Sequence, residues 1–161
     1  MGTQQILLIV LSVIIVGAAI AVGIQMFNSQ SYSANKSAIA ADAQSYASQI
    51  VQYYKTPESQ GGAGGAIAAA EVGEETIGKF IGWGGASTNN DNGNYVIDVP
   101  SALTAGVTGT VVVYGLGKED KGGEKPAVRT TITLPAGSID ADVIDTKATT
   151  ATGLTTGQTW N

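Results

Sequence analysis

The feature that most constrains this chain is a long apolar run close to its amino terminus. Ile6 to Phe27 reads ILLIVLSVIIVGAAIAVGIQMF, in which Ser12 and Gln25 are the only polar side chains. No Asp, Glu, Lys or Arg precedes Lys36. A helix needs about 20 mainly apolar residues to cross the hydrocarbon core of a membrane. Because the run is apolar on every side, it predicts a helix covered by lipid or by other chains, not the surface helix of a compact domain.

Three interpretations of the run are open. A cleaved secretory signal is disfavoured because the residues before the run carry no positive charge and the run is long for such a signal. A permanent single-pass anchor lacks the flanking Lys or Arg residues that would set its orientation. The third interpretation is a helix that passes from the membrane into a protein assembly, and the residues that follow the run favour it.

The helix is predicted to continue well past the apolar run. No Pro or Gly occurs from Asn28 to Lys55, and Ala is frequent there, which favours helix. Apolar residues recur at spacings typical of one helix face; they are Tyr32, Ile39, Ala43, Tyr46, Ile50 and Tyr53. Thr56-Pro57 ends the helix, because the residue before Pro is disfavoured in the α conformation. We therefore expect one helix over residues 1–55, with a stem at 1–27 and an amphipathic extension at 28–55.

The remaining chain is predicted to form a small head. Residues 56–94 are expected to be a glycine-rich loop with a candidate short helix from Ala66 to Phe80, and Ser87 to Asn94 is interpreted as turns. Residues 95–161 are expected to hold an antiparallel sheet and a Thr-rich tail. The alternating or apolar runs that predict strands are Tyr95–Val99, Thr110–Leu116, Val128–Leu134 and Ile139–Val143.

The connections between these strands set the expected topology. Gly117 to Lys125 (GKEDKGGEK) holds six charged residues, which predicts a solvated hairpin tip. Short connections of this kind join antiparallel strands. The fold class is therefore expected to be α+β, with the apolar stripe of the long helix packed on one face of the sheet.

Composition narrows the range of functions. The chain has no Cys and no His, so it lacks the thiol nucleophile, the commonest general base and the commonest transition-metal ligands. Its net charge of -5 offers no basic excess to neutralise phosphates of a nucleic acid. We expect a protein that is not an enzyme, with no cofactor, no metal and no nucleic-acid partner.

Three polar segments are candidate sites. An Asn-rich segment, Asn89 to Asn94, has the composition of a calcium loop, but it lacks the bidentate Glu and the ligand spacing of an EF-hand, so a plain turn is favoured. Asp140, Asp142 and Asp145 are interpreted as a solvated strand face more readily than as a catalytic pair. The Thr-rich tail supplies candidate O-glycosylation sites at Thr149, Thr150, Thr155 and Thr156.

The layout resembles the type IV pilin superfamily over Gly2 to Lys55. The segment that carries the resemblance is LLIV at Leu7 to Val10, followed by an Ile/Val/Ala/Gly run to Ile24; the head is similar in architecture alone. The resemblance implies a structural subunit of an extracellular helical filament on the cell surface, whose precursor sits in the inner membrane. Its implied partners are copies of itself, the membrane before assembly and the inner-membrane pilus assembly machinery.

In that superfamily the apolar helices bundle in the filament core. The residues that would do so here are Ile6, Leu7, Leu8, Ile9, Val10, Val13, Ile14, Val16, Ile20 and Ile24. The family usually has a Glu early in the helix at the position of Ile6, so Gln4 and Gln5 are expected to supply terminal polar contacts instead. Two alternatives are a single-pass membrane-anchored surface binding module and a minor pseudopilin of a secretion-type assembly.

Overall fold

A long helix and an antiparallel sheet make up the fold, which the computed structural model describes at residues 2–68 and 71–154. Helix α1 spans Gly2–Lys55, a short 3-10 turn spans Glu58–Gln60, and helix α2 spans Glu71–Phe80. The five strands are β1 Ser87–Asn89, β2 Gly93–Asp98, β3 Gly109–Gly117, β4 Lys125–Leu134 and β5 Ser138–Thr146, and a second 3-10 turn follows at Ala151–Leu154. The predicted α+β class, with a long helix packed on a small antiparallel sheet, is confirmed.

The sheet is a simple meander. Its spatial order is β1-β2-β3-β4-β5, and every neighbouring pair is antiparallel. The register places Val113 opposite both Ile97 and Thr130. Because successive side chains alternate between the two faces of a strand, this register gives one face that meets α1 and an outer face that points away from it.

The second half of α1 covers one face of the sheet. From Ile39 onward its apolar side chains join Val111, Val113 and Ile132 of the sheet in one buried cluster. Gly115 lies in the middle of this face, where an added Cβ would come within 2.8 Å of Val128 Cγ1. The backbone of β3 therefore lies closer to its neighbours at position 115 than a residue with a Cβ atom would allow.

The outer face of the sheet has its own smaller cluster. Val112, Tyr114 and Leu116 of β3 pack there against the 3-10 turn that ends at Leu154. Leu154 is almost completely buried. The described part of the chain after β5 therefore crosses back over the sheet and shields apolar residues from water.

Two predicted segments differ from the structure. The candidate helix at Ala66 starts only at Glu71, because Ile67 instead exchanges backbone hydrogen bonds of 2.8 Å with Leu103 in an isolated bridge. Ser87–Asn89, interpreted as part of a loop, forms the edge strand β1 and pairs with β2. Ile67 is extended because Leu103, which is distant in sequence, completes its backbone hydrogen bonds, whereas Ser87–Asn89 is extended because it pairs with the adjacent strand β2.

Candidate functional site: the stem and its junction with the head

Among the described residues, most of the exposed large apolar side chains lie on the stem, which the structure describes at residues 2–27 of α1. Every described side chain of the stem is exposed, and α1 contains an 18-residue window of mean hydropathy 3.0. Among the described residues, α1 is the one helix long and apolar enough to cross a membrane. The candidate filament-core residues are 53–69% exposed; they are Ile6, Leu7, Leu8, Ile9, Val10, Val13, Ile14, Val16, Ile20 and Ile24.

The side chains of these residues point to all sides of the helix axis. Many of the residues are consecutive in sequence, and successive helical residues are separated by 100°. Burying a large apolar side chain is worth about 1.5 to 3 kcal/mol. The hydroxyl of Ser12 donates a 2.8 Å hydrogen bond to the Leu8 carbonyl oxygen of the same helix. The stem therefore satisfies its mid-run polar group internally and presents an apolar surface on all sides.

The amino-terminal end of the stem lacks acidic groups. α1 has no acidic residue in its first turn, although a carboxylate there would be favoured by the partial positive charge of the helix terminus. Gln4 and Gln5 lie exposed in the first turns. The first carboxylate along the helix is Asp42, about 57 Å from Gln4 at 1.5 Å per residue. The two amides, with the hydroxyl of Thr3, are thus the side-chain groups able to meet charge or backbone at this end.

The helix-to-sheet residues occupy the buried face of the extension. Ile39, Ala43 and Ile50 are fully buried, Tyr32 and Tyr53 are buried, and Tyr46 is half-buried. The ring of Tyr46 makes edge contacts with Trp83, at 4.9 Å between centroids, and with Tyr95, at 5.1 Å. Such edge-to-face pairs are favoured geometries for aromatic packing.

A polar cluster, which we name the Asp42 clasp, joins the helix to the Asn-rich turn between β1 and β2. Oδ2 of Asp42 accepts hydrogen bonds of 2.8 Å from the side-chain amides of Asn90 and Asn92 and from the hydroxyl of Tyr95. Asn35 donates a further 2.7 Å bond to the Asn92 carbonyl oxygen. Burial opposes ionisation of Asp42, but the three hydrogen bonds outweigh it and hold the pKa of the carboxyl below its ordinary value.

The clasp explains why the turn is rich in asparagine. Oδ1 of Asn90 accepts 2.9 Å bonds from the backbone N–H groups of Asn92 and Gly93, which is the local turn that Asn favours. The Lys118 ammonium donates to the Asn90 carbonyl oxygen. These amides serve structural contacts, and among the described residues no group of three or more acidic residues is placed to hold a metal ion.

A second junction lies where the helix leaves the head. The Lys36 ammonium lies 2.8 Å from a carboxylate oxygen of Asp145, and this bond holds the pKa of Asp145 below its ordinary value. The Lys121 ammonium stands 5.9 Å from the centroid of the Tyr32 ring, within the range of a cation–π contact. Burial, followed by the neighbouring Asp145, raises the pKa of Tyr32.

The other candidate groups are dispersed. Asp142 pairs with Arg129 on the outer face, whereas Asp145 contacts α1, so the Asp140–Asp145 carboxylates do not converge. Thr149 and Thr150 are exposed before the second 3-10 turn, and Thr155 and Thr156 lie outside the described residues.

Sequence reasoning missed the clasp and the contacts of the hairpin tip with Tyr32 and Asn35 of α1. The partners of Asp42 are 48 to 53 residues away in sequence, and no local pattern links them. Comparisons with protein-family models, with curated proteins and with solved structures found no match for this chain. The roles of its surfaces are therefore inferred from their own residues.

Proposed function

We propose that the protein is a structural subunit of an extracellular helical filament of the type IV pilus kind, which polymerises through its stem. The observation that carries this proposal is the continuity of α1, a single helix from Gly2 to Lys55. Its exposed half contributes no residue to the buried clusters of the described part of the chain, and its other half supplies part of the core of the head. Stems that pack side by side would therefore hold their heads in fixed orientations, as a helical polymer requires.

Hydrophobicity alone does not distinguish a filament core from a lipid bilayer, since lipid tails are as apolar as the helices. Helices in an apolar environment associate through close packing, which small residues permit. A Cβ added at Gly17 or Gly23 would meet nothing within 4 Å in the isolated chain. These two positions offer neighbouring stems room to approach, which supports association of stems after a membrane-inserted precursor stage.

The partners in this proposal are copies of the same chain, the inner membrane before assembly and a machinery that extracts the subunit from it. A single-pass membrane-anchored surface module is the second candidate, favoured by the bilayer length of the apolar run. A minor subunit of a secretion-type assembly would use the same stem. The filament proposal differs from the anchor in one measurable respect, which is that stems contact stems.

Ile14→Asp tests this difference. A carboxylate at this position would be buried without a partner among packed stems, at a cost of several kcal/mol. We expect Ile14→Asp to abolish filaments in electron micrographs of sheared cell-surface material, and Ile14→Leu, which stays apolar, to retain them. Near-UV circular dichroism of both proteins in detergent checks that the head remains folded. Normal filaments from the Asp variant would exclude a core made of stems, and stems that stay monomeric in the membrane would favour the anchor.

A further inference from the structure

The tip of the β3–β4 hairpin is a tight, well-defined turn. Lys121 and Glu124 pair through their backbones across Gly122 and Gly123, which both have positive φ angles of 69° and 86°. The Asp120 carboxylate accepts a 2.8 Å bond from the Gly123 N–H. Two successive positive φ angles define a turn that glycine adopts without steric cost and that matches the twist of a hairpin. The position of the tip therefore follows from the strands that carry it.

The tip lies beside α1 at the carboxyl-terminal end of the stem. Asp120, Lys121 and Gly122 face the helix across an open cleft of about 340 Å³, which we name the neck cleft. Its other wall consists of Gln25, Asn28 and Ser29. Among the described residues, Lys121 takes part in no ion pair within 4.0 Å. The neck cleft thus brings an ammonium group, two amides and a hydroxyl together beside one carboxylate.

The length of the stem sets the depth of this cleft relative to a membrane that the stem would span. The apolar run from Ile6 to Phe27 is about 33 Å long at 1.5 Å per residue, and the hydrocarbon core of a bilayer is about 30 Å thick. When the run fills the hydrocarbon, Asn28 and Ser29, which follow it directly, stand at the level of the headgroups, and Gln25 lies at the boundary of the hydrocarbon. The tip, which faces these residues across the cleft, stands at the same level.

The charges of the tip fit that level. The tip carries three basic and three acidic residues, which are Lys118, Glu119, Asp120, Lys121, Glu124 and Lys125. Charged side chains are costly to move into hydrocarbon, at about 2.5 to 3.5 kcal/mol each at the centre of a membrane. The tip therefore cannot follow the stem into the bilayer, and its mixed charge is complementary to headgroups that carry both a phosphate and an ammonium.

We propose that the neck cleft binds a phospholipid headgroup and so fixes the depth of the stem in the membrane before assembly. The phosphate would face the Lys121 ammonium and the side-chain donors of Asn28 and Ser29, while Asp120 would meet a headgroup ammonium. This inference rests on the proposed membrane-inserted precursor. The cleft differs in chemistry from the apolar surface of the stem, since every side chain that lines it is polar and Gly122 has no side chain.

Site-directed spin labels test the level of the tip, because the chain has no native Cys. Single Cys variants Ile14→Cys in the stem, Glu124→Cys in the tip and Ala136→Cys in the β4–β5 turn are labelled and reconstituted in vesicles of phosphatidylethanolamine and phosphatidylglycerol. Ala136 adjoins Gly137, which approaches Val51 near the far end of α1, so its label is the aqueous reference.

Collision rates with oxygen and with a water-soluble nickel chelate then give the depth of each label. We expect the Ile14 label in hydrocarbon, the Glu124 label at headgroup level and the Ala136 label in water. A Glu124 label as accessible to nickel as the Ala136 label, with the Ile14 label inserted, would overturn the headgroup inference alone. An Ile14 label outside the hydrocarbon would overturn the membrane-inserted precursor as well.

Lys121→Ala tests the binding of the headgroup itself, and Lys79→Ala removes an equal charge from α2 as the control. Native mass spectrometry of the detergent-purified full chain measures the phosphatidylethanolamine that each protein retains. We expect loss of the retained lipid in Lys121→Ala and retention in Lys79→Ala and Lys121→Arg. Equal retention by the parent and Lys121→Ala would overturn a role for the neck cleft. Near-UV circular dichroism verifies that each variant is folded.

Discussion

Replacing Asp42 with alanine removes the acceptor at the centre of the Asp42 clasp. One carboxylate oxygen receives hydrogen bonds from Asn90, Asn92 and Tyr95. The Tyr95 ring is fully buried, so its hydroxyl would lose its acceptor in a place where water does not easily replace it. The asparagine turn would also lose its attachment to α1. We therefore expect the substitution to destabilise the head as a whole.

The size of the effect follows from the number and type of bonds. A hydrogen bond to a charged group contributes about 1.5 to 3 kcal/mol to stability, and bonds that share one acceptor are not additive. We expect Asp42→Ala to lower the free energy of unfolding by about 3 to 5 kcal/mol. Tyr95→Phe, which removes one of the three donors, should lower it by about 1.5 to 3 kcal/mol.

The same contacts predict how this contribution depends on pH. The pKa of Asp42 is lower in the folded protein than its ordinary value, so the unfolded chain binds the proton more readily. The carboxylate of Asp42 therefore makes its full contribution to the free energy of unfolding above the ordinary pKa of Asp, about 3.9. This contribution is lost as the pH falls through the pKa that Asp42 has in the folded protein. The difference in stability between the parent protein and Asp42→Ala should shrink over that acidic range.

Urea unfolding of the full chain in detergent, followed by near-UV circular dichroism, measures these differences while the stem stays covered. Trp83 and Tyr46 report on the head, since their rings are in contact. Asp91→Ala is the matched control, because Asp91 lies in the same turn and its carboxylate is exposed. A loss below about 0.5 kcal/mol for Asp42→Ala, the usual range of a surface substitution, would refute the reasoning.

Three further variants test other parts of the molecule. Gly115→Ala would force a Cβ to within 2.8 Å of Val128 Cγ1, so urea unfolding should show a loss of about 1 to 3 kcal/mol from overpacking. Leu154→Ala should lower the free energy of unfolding by about 2 to 5 kcal/mol, because Leu154 is buried on the outer face of the sheet. An unchanged urea midpoint of unfolding would mean that the packing of Leu154 on this face does not stabilise the head. The double variant Gln4→Leu/Gln5→Leu should give fewer filaments, or filaments that dissociate at lower temperature; equal yield and melting would exclude a role for the two amides.

The long helix and most strands were predictable because their signals are local. The spacing from Ile39 to Tyr53 specifies one helix face, and Pro57 marks the end of α1. The alternation from Val128 to Leu134 specifies a strand that is buried on one face. Each of these signals lies within a few turns or pleats, so no knowledge of distant partners is required.

Three features that depend on partners outside their own segment were not predictable in the same way. Ser87–Asn89 has the composition of a turn, and it becomes a strand because β2 supplies its hydrogen bonds. Ile67 leaves the predicted helix for a bridge with Leu103, 36 positions along the chain. Leu154 stands alone among polar residues in sequence, so nothing local indicates that it would cover the outer face. In all three cases a partner outside the segment decides the structure that it takes.

The placement of charge along α1 has a consequence for how stems would associate. The first two charged residues of the helix both contact the head, since Lys36 pairs with Asp145 and Asp42 is held by the asparagine turn. No side chain of α1 before Lys36 is charged. Contacts between stems would therefore rest on apolar packing and on amide hydrogen bonds from Gln4 and Gln5. Salt screens interactions between exposed charges far more than it affects either of these contacts, so an assembly built on the stem should keep its cohesion at high ionic strength.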